Sequence, residues 1–273
     1  MGSEESRQKN LDDNLGKIKH KIVVISGKGG VGKTTVAINL GYGLALAGKK
    51  VGIIDADIHG PNVVKMLGIE GRRLEPGTDN EAPSPVKVAE NLYALSLATF
   101  MENQDDPIIW RGPLKMKLLQ QFMEDIIWPP LDYLVVDCPP GTGDEPLSVV
   151  QILKQLDGSI IVSTPQDVAF LDSRKAIKFS QKVNVPVLGI VENMSAFNCP
   201  HCGKQIDLFS GAGAKKAAED FNTEILGSIP IDLNIVKSGD QGKPFIYNFN
   251  KTPAGKEMLE IVGKITDKVE KNT

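Results

Sequence analysis

The sequence has only three cysteines, Cys138, Cys199 and Cys202, in 273 residues. A set so sparse and odd in number excludes a disulfide framework, and the Cys-x-x-Cys spacing of the last two suits metal or redox chemistry instead. Basic residues are not in excess either: 31 Lys and Arg stand against 34 Asp and Glu, a formal charge of −3 with the signs mixed along the chain. A nucleic-acid face needs a basic stripe, so no nucleic-acid partner is expected. No apolar run approaches the roughly 20 residues of a membrane span, and no secretory signal opens the chain, so a cytoplasmic protein without a membrane partner is expected. Residues 1–19 carry few apolar positions and are expected to be a disordered or loosely attached polar tail. The remaining residues, 20–273, suffice for one large α/β domain.

Against these absences stands one glycine-rich stretch. Gly27, Lys28, Gly29, Gly30, Val31, Gly32, Lys33, Thr34 and Thr35 fit the phosphate-loop pattern G-x-x-x-x-G-K-[ST]. Before it runs Lys21–Ile25, a β-branched segment of strand length, and after it Val36–Ala47 has helical character. Glycines let the backbone approach a polyphosphate and turn N–H groups inward, while the helix N-terminus adds positive dipole character. In that setting Lys33 reaches the β- and γ-phosphates of ATP and the Thr34 hydroxyl holds Mg2+.

A second buried strand, Lys50–Ile54, delivers Asp55 and Asp57 at its carboxyl end, where open parallel sheets bind ligands. Either aspartate can instead cap the following helix. His59, a lone loop histidine, is assigned no chemistry. Asp132–Asp137 is a hydrophobic strand ending in an acid, the Walker B arrangement, in which Asp137 helps hold Mg2+ through its water shell. The loop from Cys138 to Glu145, with two prolines and two glycines, follows where a γ-phosphate sensor must sit.

Further strands at Leu92–Leu97, Gly158–Ser163 and Pro186–Val191 alternate with helices near 113–126, 145–156 and 167–183. This rhythm predicts a three-layer domain, a mostly parallel sheet with helices on both faces. Arg111, before the first of these helices, is a candidate phosphate or partner anchor and equally an ordinary surface ion pair. Gly71–Pro85 is expected to be a polar surface excursion, and Glu192–Ser195 and Gly227–Asp232 loops at strand ends. In the last helix, from Pro253 to about Val269, an apolar stripe of Met258, Leu259, Ile261, Val262, Ile265 and Val269 opposes a face of mixed charge, which suits docking on the sheet rather than on a membrane.

Cys199 and Cys202 can grip one metal from a tight knuckle, leaving two coordination positions unfilled. A two-fold dimer would bring four thiolates together, which suit either a tetrahedral Zn2+ or a [4Fe–4S] cluster.

Taken together, Gly27–Thr34, Asp55–Pro61, Asp137–Asp144 and Cys199–Gly203 resemble the Mrp/ApbC family of iron–sulfur cluster carrier ATPases within the MinD/ParA class, from about residue 20 onward. The resemblance implies a P-loop ATPase domain and a homodimer in which Lys28 reaches the partner's nucleotide. It implies that Asp57 orients the attacking water, that Asn193 meets the adenine edge, and that Pro230 and Asp232 form a second adenine-side loop. It also implies a [4Fe–4S] cluster bridged between two subunits by Cys199 and Cys202, received from an assembly scaffold and passed to apoproteins, with slow ATP hydrolysis controlling transfer. Neither the accessory domain nor the extra cysteine site found before the ATPase domain in other members is expected here. Cys138 is expected to be a small buried residue. Two other classes stay open: a MinD/ParA-like positioning ATPase, and a nucleotide-binding scaffold whose dimer is stapled by zinc.

Overall fold

Alternating apolar runs and helical segments build a nine-stranded sheet covered on both faces. The computed structural model describes residues 4–57, 60–74, 82–96, 99, 112–199, 201–202, 204–206, 208–209, 211 and 213–271. In chain order these form α1 (Glu4–Gly16), β1 (Ile18–Ile25), α2 (Lys33–Leu46), β2 (Val51–Asp55), α3 (Val63–Met66), β3 (Val86–Ala89) and β4 (Leu92–Ser96). There follow α4 (Gly112–Asp125), β5 (Leu131–Asp137), α5 (Asp144–Leu153), β6 (Gly158–Ser163), α6 (Asp167–Lys182) and β7 (Val187–Asn198). The last are β8 (Gln205–Ile206), α7 (Gly213–Asp220), β9 (Ile225–Ile231), α8 (Leu233–Asp240), α9 (Phe245–Phe249) and α10 (Pro253–Lys271).

The strand order is β3-β4-β2-β5-β1-β6-β7-β8, with β9 also paired to β7. The core strands β4, β2, β5, β1, β6, β7 and β9 run parallel, while β3 and β8 pair antiparallel at the margins. A parallel strand buried on both faces has no polar alternation, which is why β1 reads as a continuous Ile-Val-Val-Ile run. Successive residues of β1 nonetheless face opposite layers. Ile22 and Val24 pack with α2 and α10, through Val36, Leu40, Leu44, Met258, Ile261 and Ile265. Val23 and Ile25 pack with α1, α4, α5, α6 and α7, through Leu15, Phe122, Leu153, Ile177 and Ala217. Each such fully buried side chain contributes about 1.5–3 kcal/mol of transfer free energy.

Several elements differ from the sequence expectations. The polar segment expected to be a loose tail over residues 1–19 forms α1 and the start of β1. Leu11 and Leu15, four residues apart, drop into the core, and Asn14 Nδ2 donates to the carbonyls of Met123 and Ile126, each at 2.8 Å. Two leucines on an otherwise polar helix give too weak a stripe to see in sequence, and burial against α4 supplies the missing free energy. The expected loop Glu192–Ser195 lies within β7, which continues to Asn198, and Gly227–Ile231 is strand β9 rather than a loop. Pairing with β9, which Asn193 meets opposite Ile229, overrides its turn preference. The α10 stripe docks as expected except at Leu259, which is 40% exposed. His59, Leu97, Arg111 and residues 75–81 of the Gly71–Pro85 excursion lie outside the described residues.

Candidate functional site

Parallel strands deliver their carboxyl ends to one edge of the sheet, and that edge holds the charged groups. From β1 the chain enters the phosphate loop and turns into α2 through Gly32, at φ +82° and ψ +27°, with Gly30 also left-handed at φ +78°. An L-residue is strained in that region, so glycine is the residue the turn requires. The N–H groups of Lys33, Thr34 and Thr35 open α2 without intrahelical acceptors and are available to an anion. Ser26 Oγ donates to the Lys28 carbonyl at 2.9 Å, and the Gly141 N–H donates to the Ser26 carbonyl at 2.8 Å, joining this loop to the one after β5. At Gly27 a Cβ would overlap the Asp172 backbone of α6, so the loop also rests on that helix.

Carboxylates from β2 and β5 converge on Lys33. Its Nζ lies 2.5 Å from Asp137 Oδ1 and 3.9 Å from Asp57 Oδ2, and Thr34 Oγ1 donates to Asp137 Oδ2 at 2.6 Å. Burial pushes the Asp137 carboxyl above the usual carboxylate range, while Lys33 and the Thr34 hydroxyl pull it back. Asp55, left by the sequence as one of two possible caps, stands beside Asp137 in the parallel register. It accepts from the Asp57 N–H at 3.1 Å, the Val63 N–H at 3.3 Å and Ser96 Oγ at 3.2 Å, so it braces the Asp57 segment and the start of α3. Burial, and next the charge of Asp137, raise Asp55 well above the ordinary value. A surplus of carboxylate oxygens next to a hydroxyl and a single ammonium is a hard-oxygen donor set that fits Mg2+.

Beyond Lys33 opens a cleft of about 610 Å3, within the size range of small-ligand sites. Gly29, Gly30, Gly32, Lys33, Thr34, Thr35 and Asp57 line one end; Asn193, Met194, Pro230, Asp232, Ile235 and Val236 line the other. Asn193 is buried and its Nδ2 donates to the Val31 carbonyl at 2.9 Å, so it holds the phosphate loop from below. Asp232 caps α8, its Oδ1 accepting from the Asn234 N–H at 2.8 Å. Gly27 and Val31 support the loop from beneath, Val31 being buried. Lys28 is turned aside from the cleft, with Nζ 3.2 Å from Gln166 Oε1 at the start of α6.

The remaining candidates occupy a hairpin at the same edge. β7 and β8 pair antiparallel, Asn198 opposite Gln205, and the Cys199 N–H donates to the Lys204 carbonyl at 3.0 Å, with His201 and Cys202 in the turn between them. Cys202 is exposed and Cys199 partly so. Hydrogen bonds from the backbone of Cys202, then of His201, hold the Cys199 thiol below its ordinary value. Among the described residues of this hairpin no third His, Cys, Asp or Glu joins Cys199 and Cys202 in a group that could hold a metal. Pro200 and Gly203 lie outside the described residues. Cys138 is fully buried, and burial pushes its thiol up to about 12, which makes it an inert core residue. No helix among the described residues is long and apolar enough to cross a membrane.

Known proteins are similar over most of the chain. A family model described as ParA, NUBPL iron-transfer P-loop NTPase, matches residues 17–266. A Methanocaldococcus jannaschii protein named iron-sulfur cluster carrier protein is 45% identical over 260 residues, 95% of this chain and 88% of its own. One of the same name from Pyrococcus abyssi is 46% identical over 260 residues, 93% of this chain and 88% of its own. Among solved structures, a nucleotide-binding protein from Archaeoglobus fulgidus in complex with ADP aligns with a TM-score of 0.77 at 36% identity, over 92% of this chain and 96% of its own. The Aquifex aeolicus MinD cell division protein shares the fold, with a TM-score of 0.64 at 24% identity over 91% of this chain and 97% of its own.

Proposed function

This chain belongs to the ParA/NUBPL family of iron-transfer P-loop NTPases, and from that premise we propose that it is a homodimeric ATPase that carries a [4Fe–4S] cluster. In this reading Cys199 and Cys202 of two subunits hold the cluster as cargo. It arrives from a cytoplasmic assembly scaffold, leaves for apo iron–sulfur proteins, and slow ATP hydrolysis governs its release.

The chain's own groups divide the work. The loop from Gly27 to Thr35 cradles the phosphates through its N–H groups, and Lys33 exchanges Asp137 for the β- and γ-phosphate oxygens. The Thr34 hydroxyl and the Asp137 carboxylate would hold Mg2+, which would supply charge neutralisation on the phosphates. Asp57, braced by Asp55, orients water for in-line attack, and Lys28 leaves Gln166 to reach the partner's nucleotide. Asn193, Pro230 and Asp232 bound the base end of the cleft.

The observation that supports this reading most is the pairing of a phosphate-loop cleft with a two-cysteine hairpin at one sheet edge, where the described residues add no third ligand and a second copy would bring two more. Iron, acid-labile sulfide and zinc are to be measured on anaerobically reconstituted protein and on its Cys199→Ala/Cys202→Ala variant, alongside ATP hydrolysis by Lys33→Ala and Asp57→Ala. Roughly four irons per dimer, absent from the double variant, is the expected result. Zinc that resists reconstitution would replace the carrier with a stapled scaffold, and undiminished hydrolysis in both site variants would remove the catalytic assignment.

A further inference from the structure

The two halves of the edge are joined by one strand, and that strand is interrupted between them. β7 pairs with β6 as far as Glu192 opposite Ser163, and with β9 as far as Asn193 opposite Ile229. Pairing resumes only at Phe197 opposite Ile231, so β7 advances from 193 to 197 while β9 advances from 229 to 231. The β9 residue opposite this excess is Pro230, which has no N–H to donate to a ladder. The β7 excess is a bulge, and it holds Met194 in the left-handed region at φ +58°, a conformation a side chain of that size adopts only when its surroundings impose it.

The bulge is surrounded by the cleft. Met194 and Pro230 both line it, and Met194 Cε lies in van der Waals reach of the position a Cβ would take at Gly32. Immediately before the bulge Asn193 Nδ2 is tied to the Val31 carbonyl of the phosphate loop at 2.9 Å. Immediately after it, Phe197 and Asn198 lead into the hairpin that carries Cys199 and Cys202, the pairing with β8 beginning at Phe197. Bulges bend a strand and increase its twist, and they concentrate beside active sites, where they aim the side chains next to them.

We infer that the Met194–Ala196 bulge is the mechanical link between the two sites: a nucleotide filling the cleft against Met194 and Pro230 resets the bend of β7 and thereby re-aims the Cys199–Cys202 hairpin. Strand β7 is fixed on the cleft side by Asn193 and by pairing with β6, so a change of bend appears at its far end, which is held by the single Phe197–Ile231 pair to β9 and by the short two-residue β8. The link rests on the proposed function, in that it places a nucleotide in the cleft and a metal on the hairpin, and it adds the route by which one changes the other.

The test uses the full chain in its metal-free form at dilute concentration. N-ethylmaleimide labelling rates at Cys199, Cys202 and Cys138 are read by mass spectrometry with and without a magnesium complex of a non-hydrolysable ATP analogue, and calorimetry on the same samples measures nucleotide binding. The expected result is that bound nucleotide alters the labelling rate of the hairpin cysteines by about fivefold or more, at the lower end of typical inter-site coupling. Met194→Gly, compared at saturating nucleotide, is expected to bring that ratio below about twofold. Nucleotide that binds without altering hairpin labelling overturns the link, as does a Met194→Gly variant that keeps the whole effect, the outcome expected if nucleotide acts only by associating two copies. Absence of nucleotide binding in the calorimeter is the separate failure of the proposed function, and the link falls with it. Cys138, buried in the core, stays unlabelled in folded protein; should Met194→Gly expose it, the comparison on the unaltered chain alone decides.

Discussion

Three glycines of one loop, each replaced by alanine, should behave in three different ways. At Gly29 a Cβ meets nothing within 4 Å and the backbone is not left-handed, so Gly29→Ala only restricts the unfolded chain and should be neutral or stabilising by about 0.4–1 kcal/mol. At Gly30 the space is equally open but φ is +78°, so the variant bears the left-handed cost alone, about 1–2 kcal/mol. Gly32 combines φ +82° with a Cβ position that overlaps Asn193 Nδ2. To admit the methyl group Asn193 must withdraw, breaking its 2.9 Å bond to the Val31 carbonyl and stranding a buried amide, which adds about 1–3 kcal/mol. Gly32→Ala should therefore lose about 2–5 kcal/mol in total. At about 2–4 °C per kcal/mol for domains approaching this size, its melting midpoint should fall by roughly 4–20 °C. Urea and thermal unfolding of the nucleotide-free proteins measure the series. If Gly32→Ala is no less stable than Gly30→Ala, the Asn193 contact is not what holds the loop, and the account of β7 as its support is wrong.

Other expectations concern the opposite side of the molecule. Asn14→Ala leaves the carbonyls of Met123 and Ile126 without their donor and should cost about 1–3 kcal/mol in urea unfolding; a loss below about 0.5 kcal/mol would mean that α1 is not docked. Asp132 is held below its ordinary 3.8 first by the Lys19 ammonium at 2.6 Å and then by the Lys50 N–H at 2.8 Å. A carboxyl depressed by folding stabilises above its unfolded pKa and loses that contribution as pH falls through the folded value. Asp132→Asn should then be less stable than the parent at pH 7, with the gap closing below about pH 3.8. A gap of the same size at pH 3, measured by urea midpoint, would rule out the ion pair as its cause.

Much of the architecture is local and therefore visible in the chain. A central parallel strand must be apolar on both faces, so β1, β2, β5 and β6 announce themselves, and Gly27 to Thr35 carries its own geometry in its glycines. Charge balance and cysteine spacing likewise need no tertiary context. Elements whose stability comes from a distant neighbour were not visible. α1 has a polar sequence and is held by α4; β7 runs on through Asn193 and Ser195, residues of turn character, because β9 pairs with it at Asn193 and again at Phe197; Asp55 looks like a cap and proves to be the brace of Asp57.

By itself, then, the sequence determined the parallel α/β layering, the phosphate loop, the acids at the ends of β2 and β5, and the two-cysteine knuckle, because each depends on residues adjacent in the chain. Only the tertiary structure decided that Asn193 props Val31, that Pro230 stands opposite a bulge at Met194, and that the strand lining the cleft runs on to the turn that carries the cysteines. The first two relations join residues about 160 and about 36 apart, and burial and strand pairing, rather than local preference, bring them together.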